Sequence, residues 1–540
     1  MISRLYRIST VRYYSSYTDV RVRFAPSPTG RMHLGSLRTA LYNYLFAKSK
    51  NGQFIVRIED TDQNRLVDGV AEEFEQILTD YDLKIDESPQ KGGSFGPYQQ
   101  SKRLNYYHDA VKQLIDSGHA YRCFCTAQRL EILKKNAIRE RTSPKYDNHC
   151  RHVNNDESEA RKDEPHVVRF KFDKEKIDFD DIAYGHIHTE VDEGDFIIMK
   201  SDHFPTYHLA NVVDDHHMQI SHVIRGQEWL ASVPKHVKLY RAFQWQQPKW
   251  LHLPLIMRNA RSKLSKRDED GFADYYYHQK GYLRSAILNL LIRNGSGIRY
   301  FDVKKFYELE EMIEQFDESL LGTRSLQLDT EALDRYARLS IAKAYEEKTL
   351  NDEIRFFFNR KQVKVNLELL TEEYLNKSTE FLTNNEEAFS HLGQLIVPEN
   401  KKEKDMFSFL FTVPNGPIEL PKHIKSTENA INYLNLFINY IDEVKGWDYE
   451  KIKEICSINQ ISPKHFLMFI RISTINNVNG PPISELFEFY GSEEIRKRLE
   501  RQVKWLKEKV ELTGKTSQLD SGDVDQSYKA KKEESCQVDG

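Results

Sequence analysis

The sequence predicts a mixed α/β fold: a parallel sheet wound with helices, an inserted α+β segment, and an all-α C-terminal half. Three observations carry that prediction. Val20–Phe24 alternates like a strand and leads into the turn Ala25-Pro-Ser-Pro-Thr-Gly30-Arg-Met-His33. Leu34, Leu37, Ala40, Leu41, Tyr44 and Leu45 follow at helical spacing, and Phe54–Ile58 is strand-like again. A β-turn-α-β unit of this kind belongs to a parallel sheet. The second observation is a change of character at Tyr121, where cysteine pairs, a basic helix-like stretch (129–141) and the alternating runs 166–172 and 195–200 intervene before the earlier pattern resumes at Phe204. The third is the helical pattern beyond about residue 270. It includes a Ser426/Thr427 cap, the apolar face Ile431, Leu434, Ile438 and Ile441 with a stop at Gly446, and helices over 463–472 and 492–506.

In chain order, the first 18 residues carry Arg4, Arg7 and Arg12, four serines and two threonines, with no acid before Asp19. That composition reads as a mitochondrial transit peptide and predicts the mitochondrial matrix, since a secretory signal needs an apolar centre. The turn after the first strand contains two prolines and a glycine before His33, so it cannot be regular, and it delivers His33 and Gly35 to a helix N-terminus. Free N–H groups and the helix dipole favour phosphate there. An acidic helix is expected over 68–78 and a turn-rich loop over 92–101. Later come a helix over 234–243, a strand-like run over 251–256 and the loop Lys263-Leu-Ser-Lys266-Arg267.

Bulk properties narrow the function less. The 540 residues carry a net charge of −4 with 30% charged residues, so any nucleic acid must be met by local patches. No apolar run approaches bilayer length, and five cysteines in so long a chain do not make a disulfide scaffold. Cys123-x-Cys125 and Cys150-x-His152 together supply three thiolates and an imidazole, the donor set of a closed tetrahedral zinc site; His149 is an alternative to His152, and ordinary reduced cysteines are the plain reading.

The run P-S-P-T-G-x-x-H-x-G, followed by R-I-E-D-T-D at Arg57–Asp62 and Lys263-Leu-Ser-Lys266-Arg267, resembles the class I aminoacyl-tRNA synthetases, and within them the glutamyl branch. His33-Leu-Gly-Ser36 corresponds to the family's HIGH motif and the lysine loop to its KMSKS motif, with Leu for Met and a final Arg for Ser. Glutaminyl relatives carry a P-E-P-N-like first turn where this chain has Pro26-Ser27-Pro28-Thr29, which favours glutamate. The strong motifs span roughly residues 20–270; farther on, the similarity to a helical anticodon domain is weaker and centres on 479–499.

The resemblance implies the site and its chemistry. L-glutamate is expected at Arg23, Ala25, Ser27, Glu59, Tyr207, Asn211 and Arg225, with Glu59 suited to the α-ammonium and the Arg225 guanidinium to the γ-carboxylate. ATP is expected at His33, Gly35, Glu228, Lys263, Leu264, Ser265, Lys266 and Arg267, with His33, Lys263 and Lys266 the catalytic residues. A carboxylate is already a nucleophile, so forming an acyl adenylate needs positioning and positive charge around the phosphates rather than a general base. The implied cofactors are ATP with Mg²⁺ and a structural zinc at Cys123, Cys125, Cys150 and His152. The implied partners are L-glutamate and tRNA(Glu), with tRNA(Gln) a second candidate, no membrane, and a monomeric enzyme.

The expected organisation is a transit peptide (1–18), a Rossmann-like, doubly wound catalytic domain in two halves (19–120 and 204–300) and an inserted acceptor-end-binding domain (121–203). A helical connecting domain (301–370), a helical anticodon-binding domain (371–512) and a disordered tail (513–540) complete it. Two rivals remain at this stage. One is a shorter relative that glutamylates an anticodon base, which would lack the long C-terminal half. The other is a silent paralogue that only binds RNA, for which the retained His33, Glu59, Arg225 and Lys266 have no physical use.

Overall fold

A computed structural model describes residues 19–257, 271–293, 295–327, 329–398, 406–477 and 479–519. The expected transit peptide and the whole Lys263–Arg267 loop lie outside the described residues. The chain divides into two compact units, ending and beginning at Lys343 and Ala344.

In the first unit, strand β1 (Arg21–Phe24) leads through the Pro-rich turn into helix α1 (Leu34–Ser49) and back to β2 (Gln53–Val56), parallel to β1 with Val22 opposite Phe54. The expected unit is present. Helix α1 buries residues around its whole circumference, from Leu37 and Leu41 to Tyr42 and Phe46, so it is a core helix rather than a surface one. Two of its buried polar side chains tie it to the rest of the sheet: Arg38 Nη1 donates to the Pro254 carbonyl at 2.7 Å and Asn43 Nδ2 to the Ile224 carbonyl at 3.1 Å.

Helices α2 (Val70–Asp80) and α3 (Leu104–Asp116) follow, then β3 (Ala120–Cys123), α4 (Ala127–Arg139), α5 (Asn155–Ala160) and strands β4 (Val167–Phe170), β5 (Glu175–Asp181), β6 (Gly185–Val191) and β7 (Phe196–Met199). The inserted segment, expected as one body over 121–203, divides between two sheets. Strands β3, β4 and β7 form an antiparallel sheet of their own, whereas the β5–β6 hairpin extends the sheet built later by β8 (His222–Gly226) and β9 (Lys249–Leu253). The apolar residues alternating on β5 (Ile177, Phe179) enter a core shared by Val223 and Trp250 of this sheet and by Val168, Phe170 and Met199 of the other.

Between the two sheets' strands lie helix α6 (Tyr207–His217) before β8 and helix α7 (Val233–Phe243) after it. Ser221 stitches β8 to β1: its backbone N–H donates to the Arg21 carbonyl at 3.0 Å, and its hydroxyl oxygen accepts the Arg21 N–H at 2.8 Å. The result is the doubly wound α/β arrangement. The segment 301–370, expected to be helical, also contains a strand, Phe316–Leu321, paired antiparallel with Ser296–Ile298. Burial of Phe316 and Leu321 in the main core requires the extended form there.

The second unit is helical among its described residues. Ser426 caps Thr427–Val444 by accepting the Asn429 N–H at 3.2 Å, and the helix stops at Lys445, whose φ of 54° places the left-handed residue one position before the expected Gly446. Helices Pro463–Ile475 and Ser492–Leu519 pack against it through Phe437, Phe466 and Leu499. The tail expected from 513 begins as helix, the last turns of Ser492–Leu519 continuing through Thr513, Gly514, Thr516 and Ser517 despite their low helix propensity; its remainder lies outside the described residues.

Candidate functional site

A cavity of about 810 Å³ opens beside the first turn, in the size range of small-molecule sites (~300–1,000 Å³). Every expected glutamate- or ATP-binding residue that the structure describes lines it: Arg23, Ala25, Ser27, His33, Gly35, Glu59, Tyr207, Asn211, Arg225 and Glu228. They come from the end of β1, the turn, the N-terminus of α1, the end of β2, helix α6 and the end of β8. Lys263, Leu264, Ser265, Lys266 and Arg267 lie outside the described residues.

His33 is the N-cap of α1. Its Nδ1 accepts the Ser36 N–H at 3.1 Å, so the proton of the neutral ring sits on Nε2, 3.2 Å from Ser36 Oγ. Gly35 is required for this. A Cβ there would lie 3.0 Å from His33 Nδ1 and 3.1 Å from Cε1, so the ring rests over the glycine. Gly35→Ala is therefore expected to displace the His33 ring and lower kcat/KM for ATP by at least ~10-fold, with little change in thermal stability; steady-state kinetics at varied ATP check this.

At the other end of the cavity is a buried ion network. Asp215 takes Arg23 through two bonds (2.9 and 3.2 Å) and Arg57 through one of 2.7 Å, and Arg57 continues to Glu59 Oε1 at 3.0 Å. Neighbouring Asp214 accepts from Arg103, Gln100 and Tyr107. Burial alone would raise the Asp215 carboxyl, but the Arg23 and Arg57 guanidiniums overcome it and hold it below the usual range. For Glu59 burial wins and pushes the carboxyl up despite the same two cations. Glu59 Oε1 takes the Arg57 hydrogen bond, while the Asn211 amide, with its oxygen toward Arg23 Nη2 (3.2 Å) and Arg57 Nη2 (3.3 Å), donates to Asp215 Oδ2 at 3.2 Å. An incoming ammonium at Oε2 would complete the carboxylate and favour its ionised form.

Asp215 was missed at the level of sequence, although its spacing could have shown it. Tyr207, Asn211 and Asp215 stand at i, i+4 and i+8 on α6, one face of one helix.

Arg225 is 5% exposed and bonds only neutral groups: Nε donates to His252 Nε2 at 3.0 Å, Nη1 to Tyr207 Oη at 3.0 Å and Nη2 to the Trp229 carbonyl at 3.2 Å. Arg21, Arg23, Arg57 and Arg103 are each paired with a carboxylate. Arg225 has none among the described residues. Tyr207 packs against Trp229, ring centroids 4.2 Å apart and planes inclined by 36°. Glu228 folds back over Gly226, where any Cβ would collide with its carboxylate.

Away from the cavity, Cys123, Cys125 and Cys150 place their sulfurs within 4.8 Å of one another. His152 is not in this group, which corrects the expected fourth ligand. It sits on the short 3₁₀ turn His149–His152, where three residues make a turn, so residues two apart cannot share a face; Cys150 points inward and His149 and His152 are exposed. The oxygen at the centre is instead Tyr146 Oη, 3.3 Å from Cys123 Sγ, 3.4 Å from Cys125 Sγ and accepting the Cys150 N–H at 2.9 Å.

A doubly wound sheet with a His-capped helix N-terminus after its first strand and buried cations around one cavity is the arrangement expected of a class I aminoacyl-tRNA synthetase, and the comparisons place the chain in that class. The family described as tRNA synthetases class I (E and Q), catalytic domain, matches residues 19–335, and an anticodon binding domain matches 401–503. Within that class the chain belongs to the glutamate–tRNA ligases. It is 35% identical to the glutamate–tRNA ligase of Clostridium novyi over 515 residues, covering 92% of this chain and all of that protein, and 36% identical to that of Clostridium kluyveri over 503 residues, covering 91% and 99%. A crystal structure of a glutamate tRNA ligase from Elizabethkingia meningosepticum in complex with its amino acid superposes with a TM-score of 0.69 at 30% identity, covering 90% of this chain and all of the other.

Proposed function

We propose that this ligase activates L-glutamate with ATP and transfers it to the 3′ end of tRNA(Glu) in mitochondrial translation. The observation that carries the choice of glutamate is Arg225, a buried guanidinium with two N–H groups left over after His252, Tyr207 and Trp229 are served. A carboxylate can take both in parallel, and glutamine would leave the charge unpaired, a difference large enough to discriminate. Glu59 Oε2 receives the α-ammonium, and the Arg23–Asp215–Arg57 lattice keeps both anchors in place.

The α-carboxylate oxygen then faces the α-phosphorus of ATP held at the N-terminus of α1. It forms the new P–O bond while pyrophosphate departs, with the His33 Nε2–H and first-turn N–H groups meeting the charge on the phosphate oxygens. Class I synthetases take ATP with Mg²⁺, which neutralises the triphosphate. Lys263 and Lys266 are assigned to the departing pyrophosphate. In the second step the terminal ribose hydroxyl of the tRNA attacks the acyl carbon and AMP leaves. The assay is glutamylation of tRNA(Glu) with ATP and Mg²⁺; tRNA(Gln) is the second candidate acceptor in the same experiment.

The matrix location rests on the Arg- and Ser-rich composition of residues 1–18. Import of the full chain into isolated mitochondria with trimming near residue 18 supports it; a full chain that is neither imported nor trimmed overturns it. A structural zinc at Cys123, Cys125 and Cys150, with Tyr146 Oη the fourth donor, is favoured by the three clustered sulfurs. Cys123→Ser is expected to lower bound zinc from about one per chain and to loosen the β3–β4–β7 sheet, read by elemental analysis and limited proteolysis. Equal zinc in variant and parent would remove the site.

A further inference from the structure

Two residues that do not line the cavity hold Arg225 from behind. Strands β5, β9 and β8 lie side by side, and Arg225 on β8 is in register with His252 on β9. Asp181, the last residue of β5, pairs with Trp250 of β9 and places Oδ2 2.6 Å from His252 Nδ1. Asp181 is 2% exposed and His252 0%. The other Asp181 oxygen, Oδ1, accepts the backbone N–H groups of Ala183 at 3.0 Å and Tyr184 at 2.9 Å.

The proton positions follow from these bonds. An ionised carboxylate only accepts, so His252 must carry its proton on Nδ1, and its Nε2 lone pair is then what the Arg225 Nε–H needs. A carboxylate in the place of His252 would orient Arg225 equally well but would pair its charge. A neutral imidazole orients the guanidinium and leaves the charge for a ligand.

We propose that Asp181 and His252 are positioning residues for glutamate selection: Asp181 fixes the His252 tautomer, and His252 fixes the plane in which Arg225 presents its two remaining N–H groups to the substrate's side-chain carboxylate. This rests on the assignment of Arg225 to that carboxylate.

Asp181→Asn separates the proposal from a merely structural role. The two backbone N–H donors require an oxygen at the Oδ1 position, so the asparagine must turn its NH₂ toward His252 Nδ1. That forces the imidazole proton onto Nε2, directly against the Arg225 Nε–H, while the turn at Ala183 and Tyr184 stays intact. The measurement is tRNA(Glu) glutamylation with purified full-length protein at varied glutamate and at varied ATP, with glutamine misacylation in parallel. The expected result is a KM for glutamate raised at least tenfold, a glutamate-to-glutamine preference lowered at least tenfold, and an unchanged KM for ATP. A D181N enzyme with the parent's KM and preference overturns the proposal.

A second pair of variants covers poor folding of D181N. His252→Gln can offer its amide oxygen to Arg225, whereas His252→Leu cannot, so H252Q is expected to discriminate at least tenfold better than H252L. Equal discrimination by the two overturns the proposal as well. Parent protein that does not use glutamate would instead overturn the assignment on which this rests.

Discussion

Replacing Arg225 with alanine is expected to lower kcat/KM for glutamate by at least ~100-fold, about 2.7 kcal/mol of lost transition-state stabilisation, while leaving the fold standing. The asymmetry follows from its partners. His252, Tyr207 and the Trp229 carbonyl are all neutral, so removal strands no buried charge on the protein. What is stranded is the substrate's γ-carboxylate, brought into a buried site without its counter-ion. Arg225→Lys is not expected to restore activity, because an ammonium has neither the Nε–H that His252 accepts nor two parallel donors for a carboxylate. Steady-state glutamylation of both variants, with thermal unfolding in parallel, checks this. Activity near the parent's level in R225A would remove Arg225 from the binding site.

Replacing Asp215 with alanine should do the reverse and destabilise the first unit by ~3–5 kcal/mol, the usual cost of breaking a buried pair. Arg23 loses its paired hydrogen bonds to Asp215, and Arg57 loses its shortest one. Both side chains are 3% exposed or less. The pH dependence has a definite sign. The folded Asp215 carboxyl lies below its ordinary value of 3.8, so its contribution is complete above that value and is lost as pH falls through the lower folded value. The stability gap between parent and D215A should therefore narrow only below about pH 4 and stay flat through neutrality. A gap that instead closed between pH 6 and 8 would point to a histidine as the dominant group.

How much of this was legible in the sequence divides by distance along the chain. The β1–turn–α1–β2 unit reads directly, because its strand alternation, its prolines and glycines, and its helical spacing all lie within about forty residues. The expected residues that line the cavity were named through the resemblance of their motifs to the family's, not from local spacing or composition. What did not read is the connection between them. Arg23 and Asp215 are 192 residues apart, and nothing near either announces the other; only the i, i+4, i+8 row on α6 hints that Asp215 belongs beside Tyr207 and Asn211. The placement of the β5–β6 hairpin was hidden for a similar reason. Alternation shows that a stretch is a strand and leaves its sheet unspecified, and it is that placement which brings Asp181 behind His252. At the cysteine cluster the spacing suggested His152, but the tight turn His149–His152 leaves that ring exposed, a distinction that depends on helix type rather than on sequence separation, and Tyr146, from before the turn, stands among the sulfurs instead.

The measurement closest to the central claim is aminoacylation by the purified chain with ATP, Mg²⁺ and labelled glutamate or glutamine, offered tRNA(Glu) and tRNA(Gln) transcripts separately. Glutamate should be esterified to tRNA(Glu), dependent on ATP, and glutamine should not be. Folded protein that transfers glutamate to neither tRNA, or that prefers glutamine, would contradict this reading.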